Sequence, residues 1–422
     1  MTTRAWSAAL VLVLAVLAAG CLRGSSPTDA ISEDELIWAI SVNDRPTHEL
    51  VAQAWNEAHP DTPVRIEWLP PDANEQRRQL FLELNAGSSL FDVVSMDVIW
   101  TGEFANNGWI DDLSELRDQV EGNSLQASVD SCTWDGALWC LPYSSNAGFL
   151  YYRTDLVEEP PTTWPELVEV GLQAAEEAGI SPYVAQGAQY EGMVVNFLEY
   201  FWSAGGQIIS DDESQATFAE GDAARTALEF MRDAQRNGFY APGFNTLIED
   251  PARLQFQRGD AVFMRNWPYA YPLLSGEDEE NPSAVAGKFD IAPLPTFDGE
   301  GTISALGGFN LAINAFSRKK DLAREFILFA SQEQDTQMIL GRRSLPPTLQ
   351  AVYDALADDP AMALLSEVLP EAQARPPLPT WNSISQAMQD NVFPAYNGTK
   401  SVDAAIEAIQ AEVEDAVSIG GQ

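Results

Sequence analysis

Short apolar, β-rich runs alternate with helical patterns through the first hundred residues. Leu36–Ile40 reads as a buried strand and is followed by polar SVNDRP; Leu50, Val51, Ala54 and Trp55 then recur at helical spacing. Val64–Trp68 predicts a second strand, Glu75–Leu84 a helix and Phe91–Met96 a third strand. Strand–helix–strand alternation of this kind implies parallel βαβ units and hence an α/β lobe. Later helices carry start and stop signals. Thr163-Trp164-Pro165-Glu166 is a capping box with Pro near the first turn, and the helix Asp222–Asn237 stops at Gly238. Ser317 caps the helix carrying Leu322, Phe326 and Ile327, and Ser401 caps the last helix, whose stripe is Ile406, Ile409 and Val413. No internal repeat is visible, and the acidic GEDEENPS at 276–283 reads as a solvated loop.

The polar residues that follow the early strands bear on function. In open α/β sheets, ligands bind outside the carboxyl ends of the strands. Asn43 and Asp44 follow the first strand and Asp97 follows the third, so parallel strands in one sheet would bring all three to one rim. There they either serve as helix caps and turn residues or exchange hydrogen bonds with a polyhydroxylated ligand.

The chain has 422 residues, enough for two domains, and at 45% hydrophobic and 20% charged it is globular in composition. Its formal net charge of −40 changes the list of partners. Nucleic acid and anionic membrane surfaces both repel such a chain. Only four lysines occur (Lys288, Lys319, Lys320, Lys400), a balance that suits a saline habitat or marks a merely acidic, Ala-rich chain.

At the N-terminus, Arg4 precedes an apolar run, Ala8–Ala19, and then Gly20-Cys21. The run is a secretory signal, too short to span a bilayer. Small residues directly before Cys21 resemble a bacterial lipobox, in which the cysteine is lipidated and becomes the first mature residue; Ala18 stands where Leu is usual. That resemblance implies an extracytoplasmic protein held on the outer face of the cell membrane through Cys21, with residues 22–35 as a flexible tether. Cys132 and Cys140 flank SCTWDGALWC, where Asp135-Gly136 signals a hairpin. A three-residue loop would set 132 opposite 140 and permit a disulfide; a two-residue loop would pair 132 with 139 and make one hard to close. Export permits oxidation, and the expectation is a bridge.

Catalytic signatures are absent: no G-x-S-x-G, H-E-x-x-H, P-loop or dinucleotide glycine pattern occurs. The two histidines, His48 and His59, read as surface or cap residues. Two cysteines without nearby histidines cannot fill a tetrahedral metal shell, so neither metal nor cofactor is expected. With 63 acidic residues a glycosidase's carboxylate pair cannot be dismissed by counting, but no acidic residue stands in an apolar setting that marks a proton donor. The expectation is a non-enzyme.

One stretch concentrates aromatic chemistry. AVFMRNWPYAY, residues 261–271, sets Phe263, Trp267, Tyr269 and Tyr271 around Arg265, Asn266 and Pro268. It reads as a core strand running into a turn, or as a platform on which a ring stacks. The charge removes nucleic-acid bases and leaves the apolar face of a sugar ring.

Several segments together resemble the extracytoplasmic sugar-binding proteins of ABC importers (solute-binding protein family 1), nearest the trehalose/maltose-binding group. They are FDVVSMDVIW (91–100), WDGALWCLPYSSNAGFLYYRTDL (134–156), QGAQYEGMVVNFLEYFWSAGG (186–206), FQRGDAVFMRNWPYAY (256–271), FDIAPLPTFDG (289–299) and ALGGFNLAINAFSRKKDLAREFILFAS (305–331). The resemblance implies a two-lobe periplasmic-binding-protein fold of type II. The first lobe takes 36–146 plus 303–340 and the second 147–302 plus 341–420, with crossings near Asn146-Ala147, Thr302–Ser304 and Gly341. It further implies a disaccharide ligand, permease transmembrane subunits as partners, a monomer, and a membrane contact only through the anchor. Carried over by position, the ligand set is Asn43 or Asp44, Asp97, Ser144, Asn146, Trp267, Gly308, Phe309 and Arg375. Phe309 stands where Trp is frequent and Asn146 where Asp is frequent. Tyr190 and Glu191 are further candidates, whereas Trp202 reads as core and Arg258 and Arg265 as structural ion-pair residues. Tyr269 and Tyr271 stay open between cleft wall and core.

Overall fold

In a computed structural model, residues 34–420 apart from 279 are described. The expected signal, Cys21 and most of the expected tether lie outside the described residues.

Eleven strands among the described residues form two main sheets and a small hairpin. They are β1 (Leu36–Ser41), β2 (Val64–Leu69), β3 (Val93–Asp97), β4 (Thr133–Trp134), β5 (Ala137–Leu138), β6 (Leu141–Asn146), β7 (Phe149–Arg153), β8 (Ser181–Val184), β9 (Ala261–Asn266), β10 (Phe289–Ala292) and β11 (Gly307–Ile313). The first sheet has the order β2-β1-β3-β11-β6, and the second β10-β7-β9-β8. The pairings β1–β2 and β1–β3 are parallel, while β11 runs antiparallel to both β3 and β6. β1, β3 and β6 therefore point the same way and present their carboxyl ends on one rim. The mixed α/β, two-lobe architecture is the one expected from the sequence.

Apolar periodicity explains the layers. β1 is buried along its whole length, because helices cover both faces of a parallel sheet. Trp38 meets Phe326 and Tyr143 edge-on, at centroid separations of 5.2 and 5.8 Å. The ladder of β3 starts at Val93, two residues later than the apolar run; just before it, the Asp92 amide donates to the Ile37 carbonyl and the Asp92 carboxylate accepts the Ile37 amide, both at 2.9 Å. Thr163 caps its helix as expected, its hydroxyl accepting from Glu166 N at 3.2 Å, and Ser401 accepts from Ala404 N at 3.2 Å. Ser317 instead donates to Asp92 Oδ1 and accepts from Lys319 N at 3.0 Å, one step ahead of the helix Lys320–Gln332.

Two expectations fail. His48 is core, not surface: burial pushes its pKa down to about 3, and Nδ1 lies 3.1 Å from Tyr143 Oη. Cys132 and Cys140 are buried, unbridged thiols. Asp135-Gly136 closes the hairpin as a two-residue turn with φ of 48° and 73°, pairing Thr133 with Leu138 and Trp134 with Ala137. That register sets Cys132 across from Trp139, whose amide donates to the Cys132 carbonyl at 2.9 Å, and not across from Cys140.

The chain passes from the first sheet to the second through Ala147-Gly148, between β6 and β7, and returns between β10 and β11. A third segment runs beside the second passage. Ala305 bridges Gln373 in parallel, Gln373 N donates to the Ser304 carbonyl at 2.8 Å, and Leu306 N donates to the Gln373 carbonyl at 2.9 Å. Among the described residues, no helix is long and apolar enough to cross a membrane.

Candidate functional site

The rim of the first sheet and the loops of the second enclose a cleft of about 780 Å³ of atom-free space, counting solvent at its mouth. From the first sheet come Asn43 and Asp44 in the turn after β1, Asp97 at the end of β3, Asn146 at the end of β6, and Gly307–Phe309 at the start of β11. Across from them stand Trp267, directly after β9, and Glu191 and Glu249, each the first residue of a helix. Arg375 arrives through the segment pinned beside the second passage.

Glycines fix two close approaches. A Cβ at Gly307 would lie 2.9 Å from the Trp267 ring, so glycine lets the indole seat against β11. Gly308 has φ +124°, and a Cβ there would meet the Ser144 carbonyl at 2.1 Å.

Nine of the eleven ligand candidates read from the sequence line this cleft. Two do not. Ser144 is buried within β6 opposite Phe309, and its short hydroxyl ends on the Phe309 amide at 3.3 Å. Tyr190 lies buried beneath the wall, where its hydroxyl would be 2.2 Å from a Cβ on Gly192. Tyr269 lines the cleft, and Tyr271 packs on Phe289 at a centroid separation of 5.6 Å. Gln76, Glu249 and Leu345 line it without having been singled out. For Glu249 the available signal was Glu249-Asp250-Pro251, an acidic helix start a few residues after an apolar turn.

The electrostatics divide the wall. Arg375, buried, donates to Glu191 Oε1 at 2.7 Å, to Asp97 Oδ1 at 3.4 Å and to the Leu306 carbonyl at 3.1 Å. Ser385 donates to the other Glu191 oxygen. Burial raises the pKa of both carboxylates, and Arg375 opposes that rise. Asn74 ties the two sides together, accepting from Glu191 N at 3.2 Å and donating to Gln389 Oε1 at 2.8 Å. Asp44 caps the helix Arg45–Ala58 by position, at φ 56°, but its carboxylate makes no capping bond. Burial pushes it up to about 7, aided by Asp250 and opposed by Arg253. Burial likewise pushes Glu249 up to about 7. Two buried polar atoms on the wall have no partner among the described residues, Arg375 Nε as donor and Asn146 Oδ1 as acceptor.

A rim of strand ends facing an aromatic second wall is a ligand cleft between lobes. The sequence matches the bacterial extracellular solute-binding proteins over residues 40–337. The chain belongs to that family. A relative from Deinococcus radiodurans, a probable ABC transporter-binding protein, is 31% identical over 380 residues, covering 86% of this chain and 88% of the relative. Maltose-bound MalE3 of T. maritima superimposes on this solute-binding protein with a TM-score of 0.84 at 33% identity, covering 90% of this chain and 99% of the other. A solute-binding protein of Thermotoga lettingae bound with α-D-tagatose gives 0.82 at 24% identity, covering 91% and 99%, and shares the fold.

Proposed function

We propose that this protein is the ligand-capturing component of an ABC sugar importer, holding a neutral disaccharide of the maltose or trehalose type and delivering it to permease transmembrane subunits. The observation that carries the reading is the cleft itself. Trp267, Tyr269 and Phe309 supply flat apolar faces, and beside them stand an unpartnered Arg375 Nε donor and an unpartnered Asn146 acceptor. Sugar rings present a C–H face that packs on aromatics, while their hydroxyls both donate and accept. Asp44 and Glu249 add acceptors for hydroxyl donors. A cleft with four carboxylates and one arginine repels a phosphodiester, which favours a neutral sugar over a glycerophosphodiester.

The maltose in the MalE3 structure and the transporter role in the D. radiodurans relative's name support the same reading. The work is a shift between open and closed lobes driven by the higher affinity of the closed state, with no bond made or broken. Cys21 is read as the lipid anchor, and the protein as a monomer on the outer face of the membrane. Titration calorimetry against maltose, trehalose and a panel of oligosaccharides tests it: binding without turnover of the sugar is expected. Silence for every disaccharide sinks the specificity, and hydrolysis of any of them sinks the receptor reading.

A further inference from the structure

Behind the cleft wall lies an ion pair that ligand capture alone leaves unexplained. The side chains of Arg265, on β9, and Glu199, on the helix Glu191–Ser203, are each 1% exposed. Glu199 accepts from Arg265 Nε at 2.9 Å and from Nη2, and Gln186 Oε1 accepts from Nη1 at 3.3 Å. The same Glu199 Oε1 accepts from the Ala305 amide at 3.3 Å and lies 3.4 Å from the Ser304 hydroxyl, which in turn accepts from Gly148 N. Gly148 is in the first passage between the sheets, and Ser304-Ala305 in the second. One carboxylate thus touches the arginine and the second passage, and reaches the first through the Ser304 hydroxyl.

The arginine's other contact is the platform. Its Cζ lies 4.1 Å from the centroid of the Trp267 ring, so the guanidinium covers one face of the indole while Trp267 also lines the cleft. Gly148 admits this packing, since a Cβ there would lie 2.5 Å from Arg265 Nη2. A buried ion pair is often replaceable by apolar residues without loss of stability, so stability does not explain this one. A cation held flat against an indole fixes its tilt and depth, and the planar fork of arginine does so in a way lysine cannot.

We propose that Arg265 is a positioning residue for the ligand platform. Held by Glu199, it sets the seat of Trp267 and registers that seat to both passages between the lobes. The inference rests on the reading of Trp267 as a platform, but not on which sugar binds. A ligand pressing on the indole then presses on the hydrogen bonds that order Gly148 and Ala305.

The test has two arms. In ligand-free protein labelled with 5-fluorotryptophan, the Trp267 fluorine line is assigned by its loss in Trp267→Phe. Arg265→Lys and Glu199→Gln should shift and broaden that line while the other tryptophan lines stay in place. An unmoved Trp267 line in folded variants overturns the proposal. If neither variant folds, Ser304→Ala, which removes one hydroxyl, should move the same line, and an unmoved line again overturns it. The second arm titrates maltose in a double-mutant cycle. Arg265→Lys should cost about tenfold in affinity when Trp267 is present and less than about twofold in Trp267→Ala. Equal losses in both backgrounds mean a general structural role and overturn the proposal. If the wild-type protein ignores maltose, the disaccharide reading fails while the fluorine arm still decides this one.

Discussion

Asp97 and Glu191 share the guanidinium of Arg375, whereas Asp44 and Glu249, in the same cleft, have no ion-pair partner among the described residues. Burial raises all four; Arg375 opposes the rise in the first pair, and the second pair is pushed up to about 7. The nearby Arg253 pulls Asp44 back down, yet its guanidinium is already bound to Asp250 at 3.0 Å and Asp278 at 3.1 Å. The difference separates two tasks. A clamped pair gives rigid geometry and joins residues from distant parts of the chain; an unclamped pair keeps free acceptors whose charge depends on pH.

Removing the clamp is the largest expected effect. Arg375→Met leaves two buried carboxylates facing each other without a cation, and deleting one partner of a buried ion pair costs on the order of 3–5 kcal/mol. Chemical denaturation should show that loss at pH of about 8 and a smaller one at about 5, where the freed carboxylates take up protons. Maltose binding should vanish at both. A stable variant that still binds would mean the clamp is incidental. Next comes the platform. Trp267→Ala should weaken maltose binding about a hundredfold with little change in Tm, as expected of a half-buried aromatic anchor. An unchanged Kd would return this tryptophan to the core.

How much of this was legible in the sequence follows the same division. Strand ends are periodic features, so Asn43, Asp44 and Asp97 reached the rim from pattern alone, and the family resemblance added Asn146, Trp267, Phe309 and Arg375. Ser144, carried over by position from the resemblance, does not line the cleft, because β11 lays the Phe309 amide over its hydroxyl, a contact that position in the chain cannot report. Loop length, which Asp-Gly alone leaves undecided, set which residue faces Cys132 across the hairpin. Glu249 was missed because its character is tertiary: it is one acidic residue among many, and only packing against the cleft raises its pKa. The Arg375 clamp joins residues 97, 191 and 375, far apart in the chain, and no local signal announces it.

The unclamped pair makes stability and binding depend on pH in a stated direction. In the unfolded chain Asp44 ionises near 3.8, while in the fold it holds its proton up to about 7. Between those values the folded state binds more protons, so stability falls as pH rises through that window, and above about 7 the whole cost is present. Asp44→Asn should therefore stabilise the protein at pH of about 8, by on the order of 1 kcal/mol after allowing for solvent screening at the cleft wall, and leave it unchanged at about 4. Thermal melts of the variant and wild type at the two pH values check this. A gain of the same size at both would assign the effect to shape instead of charge.

Tyr269 offers the smallest and sharpest cut, because one atom separates its two contributions. Its ring lines the cleft, and its hydroxyl donates to Asp250 Oδ1 at 3.0 Å, close to the unclamped pair. Tyr269→Phe keeps the ring and removes the donor. A part-exposed hydrogen bond of this kind contributes about 0.5–1.5 kcal/mol. Maltose affinity should fall by no more than about tenfold. Freed of that donor, Asp250 should hold Asp44 in its protonated form to a higher pH, so the loss should be accompanied by an upward shift in the midpoint of the stability profile. If the loss instead matches that of Trp267→Ala, the hydroxyl itself grips the ligand. The unclamped acceptors would then be organised around Tyr269 and not around the two carboxylates.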